Sequence, residues 1–298
     1  MTIVVASGKG GTGKTTVSVG LARAIEDEVD LLDCDVEAPN AHLFLPEDAN
    51  DPDAGGRPAR RREETDRFAV PVPSVDPKRC TGCGACARFC AFGALAIVRG
   101  RVLFFDDLCH ACGGCTIACP VGAISEVPHE IGSVRERRSG SVRLVTGELD
   151  VGQTLAPPLI RAVKARARAR TIVIDAAPGA TCPVVEAARG ADAGLLVTEN
   201  TPFGVHDLAA AAEVLAELRV PAGIVINRAG IGYADESEIE AIAERFGSPI
   251  LSRIPYSARI AEGYASGRAI TDSLPELAEE LRSLATRLRR LAGREGAA

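Results

Sequence analysis

Residues 8–16 read Gly8-Lys9-Gly10-Gly11-Thr12-Gly13-Lys14-Thr15-Thr16. The apolar run Ile3 to Ala6 precedes them, and apolar residues at Val17, Leu21, Ala22 and Ile25 follow at helical spacing, so the stretch sits on a strand-to-helix turn. Gly8, Gly13, Lys14 and Thr15 meet the G-x-x-x-x-G-K-S/T spacing of a phosphate-binding loop. In such a loop the glycines let backbone N–H groups converge on phosphate oxygens, and the new helix adds its positive N-terminal end. Lys14 is expected to reach the β- and γ-phosphates, and the Thr15 hydroxyl to meet Mg²⁺. Gly10 and Gly11 leave the backbone free to wrap, and Thr12 and Thr16 complete the expected nucleotide-binding set. A turn that is merely glycine-rich would lack the strand before and the helix after.

Outward from this loop, composition sets the bounds. A chain of 298 residues that is 46% apolar can bury one large core or two modest ones. A net charge of −6 argues against nucleic acid as a partner. No apolar run reaches some 18 residues, and Met1 leads straight into the first strand. The expectation is a cytoplasmic protein without stable membrane insertion. Ten cysteines in a reducing compartment point to metal ligation before disulfides.

Lys9 narrows the reading. A second lysine just after the first glycine, as in KGGTGKTT, resembles the deviant Walker A loop of the MinD/ParA family of ATPases. The resemblance implies an α/β fold, a P-loop NTPase parallel sheet with helices on both faces. It also implies ATP/ADP and Mg²⁺ as ligands, and a homodimer formed on ATP binding, in which Lys9 reaches the partner's nucleotide. The run Asp33-Cys34-Asp35 after the second strand is similar to the family's first switch segment. Asp35 would orient the attacking water and Asp33 would assist the Mg²⁺ shell; a pair of turn-capping aspartates is the plainer alternative. Asp175-Ala176-Ala177-Pro178-Gly179 resembles the second switch, with Asp175 holding Mg²⁺ and Gly179 sensing the γ-phosphate. Asn227-Arg228, at the end of the run GIVIN, resembles the segment with the family's adenine-contacting Asn and is expected at the nucleotide, and the loop after Pro255 would close over the base. Lys9, Lys14 and Asp35 are thus the expected catalytic residues.

Between these segments lies an internal repeat. Cys80-x2-Cys83-x2-Cys86-x3-Cys90 recurs as Cys109-x2-Cys112-x2-Cys115-x3-Cys119. Two such runs resemble the bacterial ferredoxin with two [4Fe–4S] clusters, in which the fourth cysteine of each run ligates the other cluster. That resemblance assigns Cys80, Cys83, Cys86 and Cys119 to one cluster, and Cys109, Cys112, Cys115 and Cys90 to the other. Ala91 stands where the ferredoxin pattern has proline. A pair of zinc sites is the alternative, which the x2 and x3 continuation in both copies disfavours. Ile97 to Phe105 reads as a hairpin across Arg99-Gly100.

The expected organisation is an ATPase domain of residues 1–45 and 150–298, interrupted by a linker and a small α+β ferredoxin-like insert over 46–149, with its cluster core at 76–127. Pro46 to Asp66, with basic Arg60 to Arg62, reads as an exposed loop. Cys34 and Cys182 read as small semi-buried residues. Leu274, Leu277, Leu281, Leu284, Leu288 and Leu291 describe an amphipathic helix docked on the core. The function implied is an ATPase whose cycle governs electron transfer or metallocofactor delivery to a redox or metallocofactor partner protein. The alternative is a redox-responsive regulator or scaffold with little turnover.

Overall fold

The computed structural model describes residues 1–45, 64–231 and 235–293. It forms two units, one of Met1–Thr65, Val134–Glu148 and Ile160–Ala298, the other of Asp66–Ser133 and Leu149–Leu159.

In the first unit β1 (Thr2–Ala6), β2 (Val29–Cys34), β8 (Thr171–Ala176), β9 (Ala193–Thr198), β10 (Ala222–Ala229) and β11 (Ile250–Pro255) are short apolar runs. Each is joined to the next by a helix or a longer excursion, the connection that parallel pairing requires. Their order, with β7 (Val142–Leu149) and the later part of β6 (Ile124–Ser139), is β11-β10-β9-β1-β8-β2-β7-β6. Every pair from β11 to β7 is parallel.

Alternate residues of each strand serve opposite faces. Ile3, Val5, Leu31, Val173, Leu195 and Val225 join a core with α1 (Lys14–Ala24), α9 (Ile270–Ser273) and α10 (Glu276–Leu291). Val4, Leu32, Ile174, Leu196 and Ile224 are equally buried on the other side, where α5 (Cys182–Ala188) and α6 (Pro202–Glu217) cross β8 and β9. Helices on both faces of a parallel sheet match the expected fold class. The amphipathic C-terminal helix docks as its leucine spacing implies: Leu277, Leu281, Leu284 and Leu288 are buried in the α1 core.

The first unit contains Val134–Glu148 because β7 pairs in parallel with β2, from Val29 with Val142 to Asp33 with Thr146. Of the loop expected from Pro46 to Asp66, residues 46–63 lie outside the described residues, and Glu64 already opens β3 (Glu64–Val75). No helix among the described residues is long and apolar enough to cross a membrane.

In the second unit β4 (Leu95–Val98) and β5 (Arg101–Phe104) form an antiparallel hairpin across Arg99 and Gly100. Both turn residues have positive φ, 49° and 73°, the geometry of a tight hairpin turn. Each cysteine run folds alike. Its first two cysteines lie in a loop, a glycine of positive φ (Gly84 or Gly113) opens a five-residue helix, α2 (Ala85–Phe89) or α3 (Gly114–Ala118), that carries the third, and the fourth cysteine ends it. Two small apolar clusters support these loops, one around Cys86, Leu95 and Ile124, the other around Val70, Val72 and Ile131.

Candidate functional site: a phosphate-binding loop among three carboxylates

At the carboxyl ends of β1, β2 and β8, where ligands bind an open α/β sheet, the first unit has a cavity of about 320 Å³. Lys9, Gly10, Gly11, Gly13, Lys14, Thr15 and Thr16 form one side of it. Gly13 has φ 87° at the start of α1, and a Cβ there would lie 2.2 Å from Asn227 Nδ2. That amide donates to the Thr12 carbonyl at 2.7 Å, so Asn227 braces the loop from below as well as lining the cavity. At Gly8 a Cβ would lie 2.0 Å from the Asp207 carbonyl oxygen, so α6 packs directly on the loop.

Lys14 is 6% exposed, and its Nζ donates to Asp175 Oδ1 at 2.9 Å and lies 4.0 Å from Asp35 Oδ2. Burial works against its charge. The Asp175 carboxylate, with help from Asp35 and Asp33, outweighs this and holds its pKa above the ordinary lysine value. The Ser18 hydroxyl donates to the same Asp175 oxygen at 2.9 Å. The other oxygen, Asp175 Oδ2, is buried with no hydrogen-bond partner, as is Thr12 Oγ1. A buried carboxylate oxygen without a donor is costly, and a cation or a water on a cation is what would satisfy it. The Thr15 hydroxyl, which lines the cavity, and carboxylate oxygen are hard donors of the kind Mg²⁺ takes.

Burial, and next the charge of Asp175, push the Asp33 carboxyl up to about 7. Burial pushes Asp35 up to about 6, against the pull of Lys14. Three carboxylates around one ammonium leave the site rich in negative charge. Asp33 is not open to the cavity. Its oxygens accept the backbone N–H groups of Asp35, Asn40 and Ala41 at 3.3, 3.0 and 3.0 Å. It therefore braces the loop that carries Asp35. Asp35 lines the cavity. Gly179, with φ 97°, donates its N–H to the Ser7 carbonyl at 2.8 Å, and its neighbour Pro178 lines the cavity instead.

Lys9 lies 3.6 Å from Glu199 Oε2, and Arg228 pairs with the other oxygen of the same carboxylate. Arg228 lines the cavity from a backbone position of positive φ, 53°. Glu199 went unassigned in the sequence, although an acidic residue directly after the buried strand β9 is a usable signal. The far wall, Pro255, Tyr256, Ile260 and Tyr264, comes from β11, α8 (Ala258–Ala265) and the loop after Pro255 that the resemblance expects over the base; Ile260 and Tyr264 themselves stand in no motif.

In the second unit the thiols divide between two cavities. One is lined by Cys80, Cys83, Cys86 and Cys119, with Val102 of the hairpin; the other by Cys90, Cys109, Cys112 and Cys115, beside a Phe92–His110 stack of 3.7 Å. Backbone N–H groups of Ala111 and Ala123 donate to Cys109 Sγ and Cys119 Sγ at 3.4 and 3.2 Å. Among the described residues, no three His, Cys, Asp or Glu side chains converge as one metal ion would require. Cys34 is fully buried, which raises its thiol pKa, whereas Cys182 is exposed, contrary to the semi-buried expectation.

The chain is 31% identical over 281 residues to the uncharacterized protein MJ0579 of Methanocaldococcus jannaschii, spanning 90% of this chain and 91% of that one. It is 30% identical over 294 residues to MJ0578 of the same organism, spanning 97% and 96%. The cell division ATPase MinD of Pyrococcus furiosus superposes with a TM-score of 0.54 at 21% identity, covering 97% of this chain and 98% of that one. The septum site-determining protein MinD of Pyrococcus horikoshii OT3, solved with Mg-ADP, gives 0.54 at 20% identity and full coverage of both, a likeness of fold. A family model described as the CobQ/CobB/MinD/ParA nucleotide binding domain matches residues 3–270, and the chain belongs to that family.

Proposed function

We propose that this protein is a Mg²⁺-dependent ATPase that dimerises on ATP and carries two [4Fe–4S] clusters. Its nucleotide cycle governs electron transfer or the delivery of a metallocofactor to a partner protein. The observation that carries the reading is a cavity lined by the loop residues Lys9 to Thr16 other than Thr12 and by Asp35, with the buried Asp175 carboxylate held directly behind Lys14.

On nucleotide binding, Lys14 exchanges part of its contact with Asp175 for the β- and γ-phosphates, and the N–H groups of Gly10 to Thr15 receive the remaining oxygens. Thr15 and Asp175 would hold Mg²⁺, which neutralises charge on the phosphates. Asp35, with a carboxyl near 6, is ionised at neutral pH and able to orient a water. Lys9 leaves Glu199 for the partner's nucleotide, adding positive charge where the transition state needs it. Asn227 and Arg228 face the nucleoside.

The cluster half rests on the sorting of eight thiols into two cavities in the crossed sets. The alternative, a Zn²⁺ ion in each set, would hold four sulfurs ~2.3 Å from one point. N–H donors aimed at two of the sulfurs suit a cluster, whose potential such bonds tune.

The test is chemical analysis of anaerobically purified protein, together with ATP turnover in Lys14→Ala, Lys9→Ala and Asp35→Ala. The reading expects about eight irons and eight acid-labile sulfides per chain, and turnover lost in all three variants. Zinc without iron would end the cluster half; variants that hydrolyse ATP like the parent would end the other.

A further inference from the structure

We infer that Tyr264 is a positioning residue that ties the nucleoside end of the cavity to the loop carrying Asp35, so that hydrolysis senses whether a base is bound. The inference rests on the ATPase reading above and adds a link that the phosphate loop alone does not supply.

Tyr264 lies on α8 and lines the cavity at the wall opposite the phosphate loop. That wall, with Pro255, Tyr256 and Ile260, is largely apolar, and Tyr264 is 55% exposed. An exposed ring in a cavity wall offers a face to an aromatic base. The same ring meets Phe44, with centroids 5.2 Å apart and planes at 41°.

Phe44 is 4% exposed and ends the short 3₁₀ turn Ala41–Phe44, directly after the loop Asp35–Asn40. The near end of that turn is pinned by Asp33, which accepts the N–H groups of Asn40 and Ala41. The segment from Asp35 to Phe44 is therefore held at one end beside Lys14 and at the other beneath Tyr264.

Nor is α8 free to slide. A Cβ at Gly263 would lie 1.8 Å from Ser273 Oγ, so the helix seats directly on α9. A Cβ at Gly267 would lie 2.8 Å from the Leu43 carbonyl oxygen, a second close approach to the same turn. A base that presses on the Tyr264 ring consequently presses on Phe44, and the loop bearing Asp35 takes up the change. The phosphate loop, on the other side of the cavity, is not in this path.

The experiment compares turnover of ATP and of ribose 5′-triphosphate, which has the phosphates but no base, by the full-length parent, Tyr264→Leu and Tyr264→Phe. An aromatic contact of this kind is worth about threefold to tenfold in rate. The parent is expected to show a kcat for ATP about that much higher than for the base-free substrate. Tyr264→Leu should lose the advantage in kcat, not only in KM, and Tyr264→Phe should keep it. Phe44→Leu, verified as folded by far-UV circular dichroism, should abolish the same advantage without adding to the loss in Tyr264→Leu. Equal kcat values for the two substrates in the parent, or a Tyr264→Leu change confined to KM, would overturn the inference while leaving the ATPase reading standing. A parent that hydrolyses neither substrate would overturn both.

Discussion

Replacing Lys14 by Met in the nucleotide-free protein should destabilise it by an amount that grows with pH. Among the described residues, Lys14 is the cation buried among Asp33, Asp35 and Asp175, two of which are wholly shielded from solvent. Breaking a buried pair by removing one member costs about 3–5 kcal/mol, because the other is left as an uncompensated charge. The site has an escape, since a carboxylate can take a proton. Protonating a group of unfolded pKa ~3.9 costs about 4 kcal/mol at pH 7.0 and about 1.4 kcal/mol less for each pH unit below it. The smaller of the two penalties governs, so the loss should be roughly 2 kcal/mol at pH 5.5 and saturate near 4 kcal/mol by pH 7.5. The sign follows from proton uptake: without Lys14 the folded state binds a proton that the unfolded state does not, so its stability falls as pH rises. The assay is urea denaturation of parent and variant in EDTA, followed by far-UV circular dichroism at pH 5.5, 6.5, 7.5 and 8.0. The readout is the difference at each pH, in which the second unit's own unfolding cancels. A difference that does not change with pH, or a variant as stable as the parent at pH 8.0, would refute the reasoning.

Three further outcomes follow from the same geometry. Asp35→Asn should abolish ATP turnover and yet raise the thermal midpoint of the nucleotide-free protein at pH 8. Its carboxyl lies near 6 in the folded state, so the parent loses about 2 kcal/mol as pH climbs through that value, whereas at pH 4 the two proteins should match. Gly13→Ala should weaken binding of a fluorescent ADP analogue at least tenfold, since it combines a left-handed backbone costing ~1–2 kcal/mol with a Cβ 2.2 Å from Asn227 Nδ2; unchanged affinity would mean that Asn227 does not brace the loop. In Cys119→Ser, alkylation followed by mass spectrometry should find Cys80, Cys83 and Cys86 newly reactive while Cys90, Cys109, Cys112 and Cys115 stay protected, and the reverse pattern would refute crossed ligation.

Much of the first unit was legible because its elements announce themselves locally. β1, β8, β9 and β10 are buried on both faces and read as short continuous apolar runs, and the residues that close them, Asp175 and Asn227, stand in recognisable neighbourhoods. β6 was not legible. Only Ile131 to Val134 form a buried run within its 16 residues, Pro128 interrupts it, and its later half carries Arg135, Arg137 and Arg138. What makes such a stretch a strand is its neighbours in the sheet, which no local pattern encodes. The aromatic wall fails for the same reason: Phe44 and Tyr264 are far apart in sequence and obey no spacing rule. Asp33 shows a third kind of limit. Two aspartates flanking one cysteine look equivalent in sequence, yet one turns inward to hold three backbone N–H groups and the other lines the cavity.

The pairing of Lys9 with Glu199 bears on how a second chain could be engaged. Lys9 has a side chain 29% exposed, and Glu199 already receives Arg228 from the other side. A partly solvated ion pair of this sort contributes only about 0–1 kcal/mol, so Lys9 can leave it at little cost, and Arg228 remains to satisfy the carboxylate. Lys14 is held differently, in a buried contact at 2.9 Å whose loss costs several times more. The two lysines of the loop are thus set at different thresholds. Lys14 moves only when a phosphate and a cation arrive together to replace what it gives Asp175, whereas Lys9 is available to any stronger anion within reach. On the proposed reading, Lys9 can therefore turn to a second chain's nucleotide at little cost, whereas Lys14 needs a phosphate and a cation to replace its contact with Asp175.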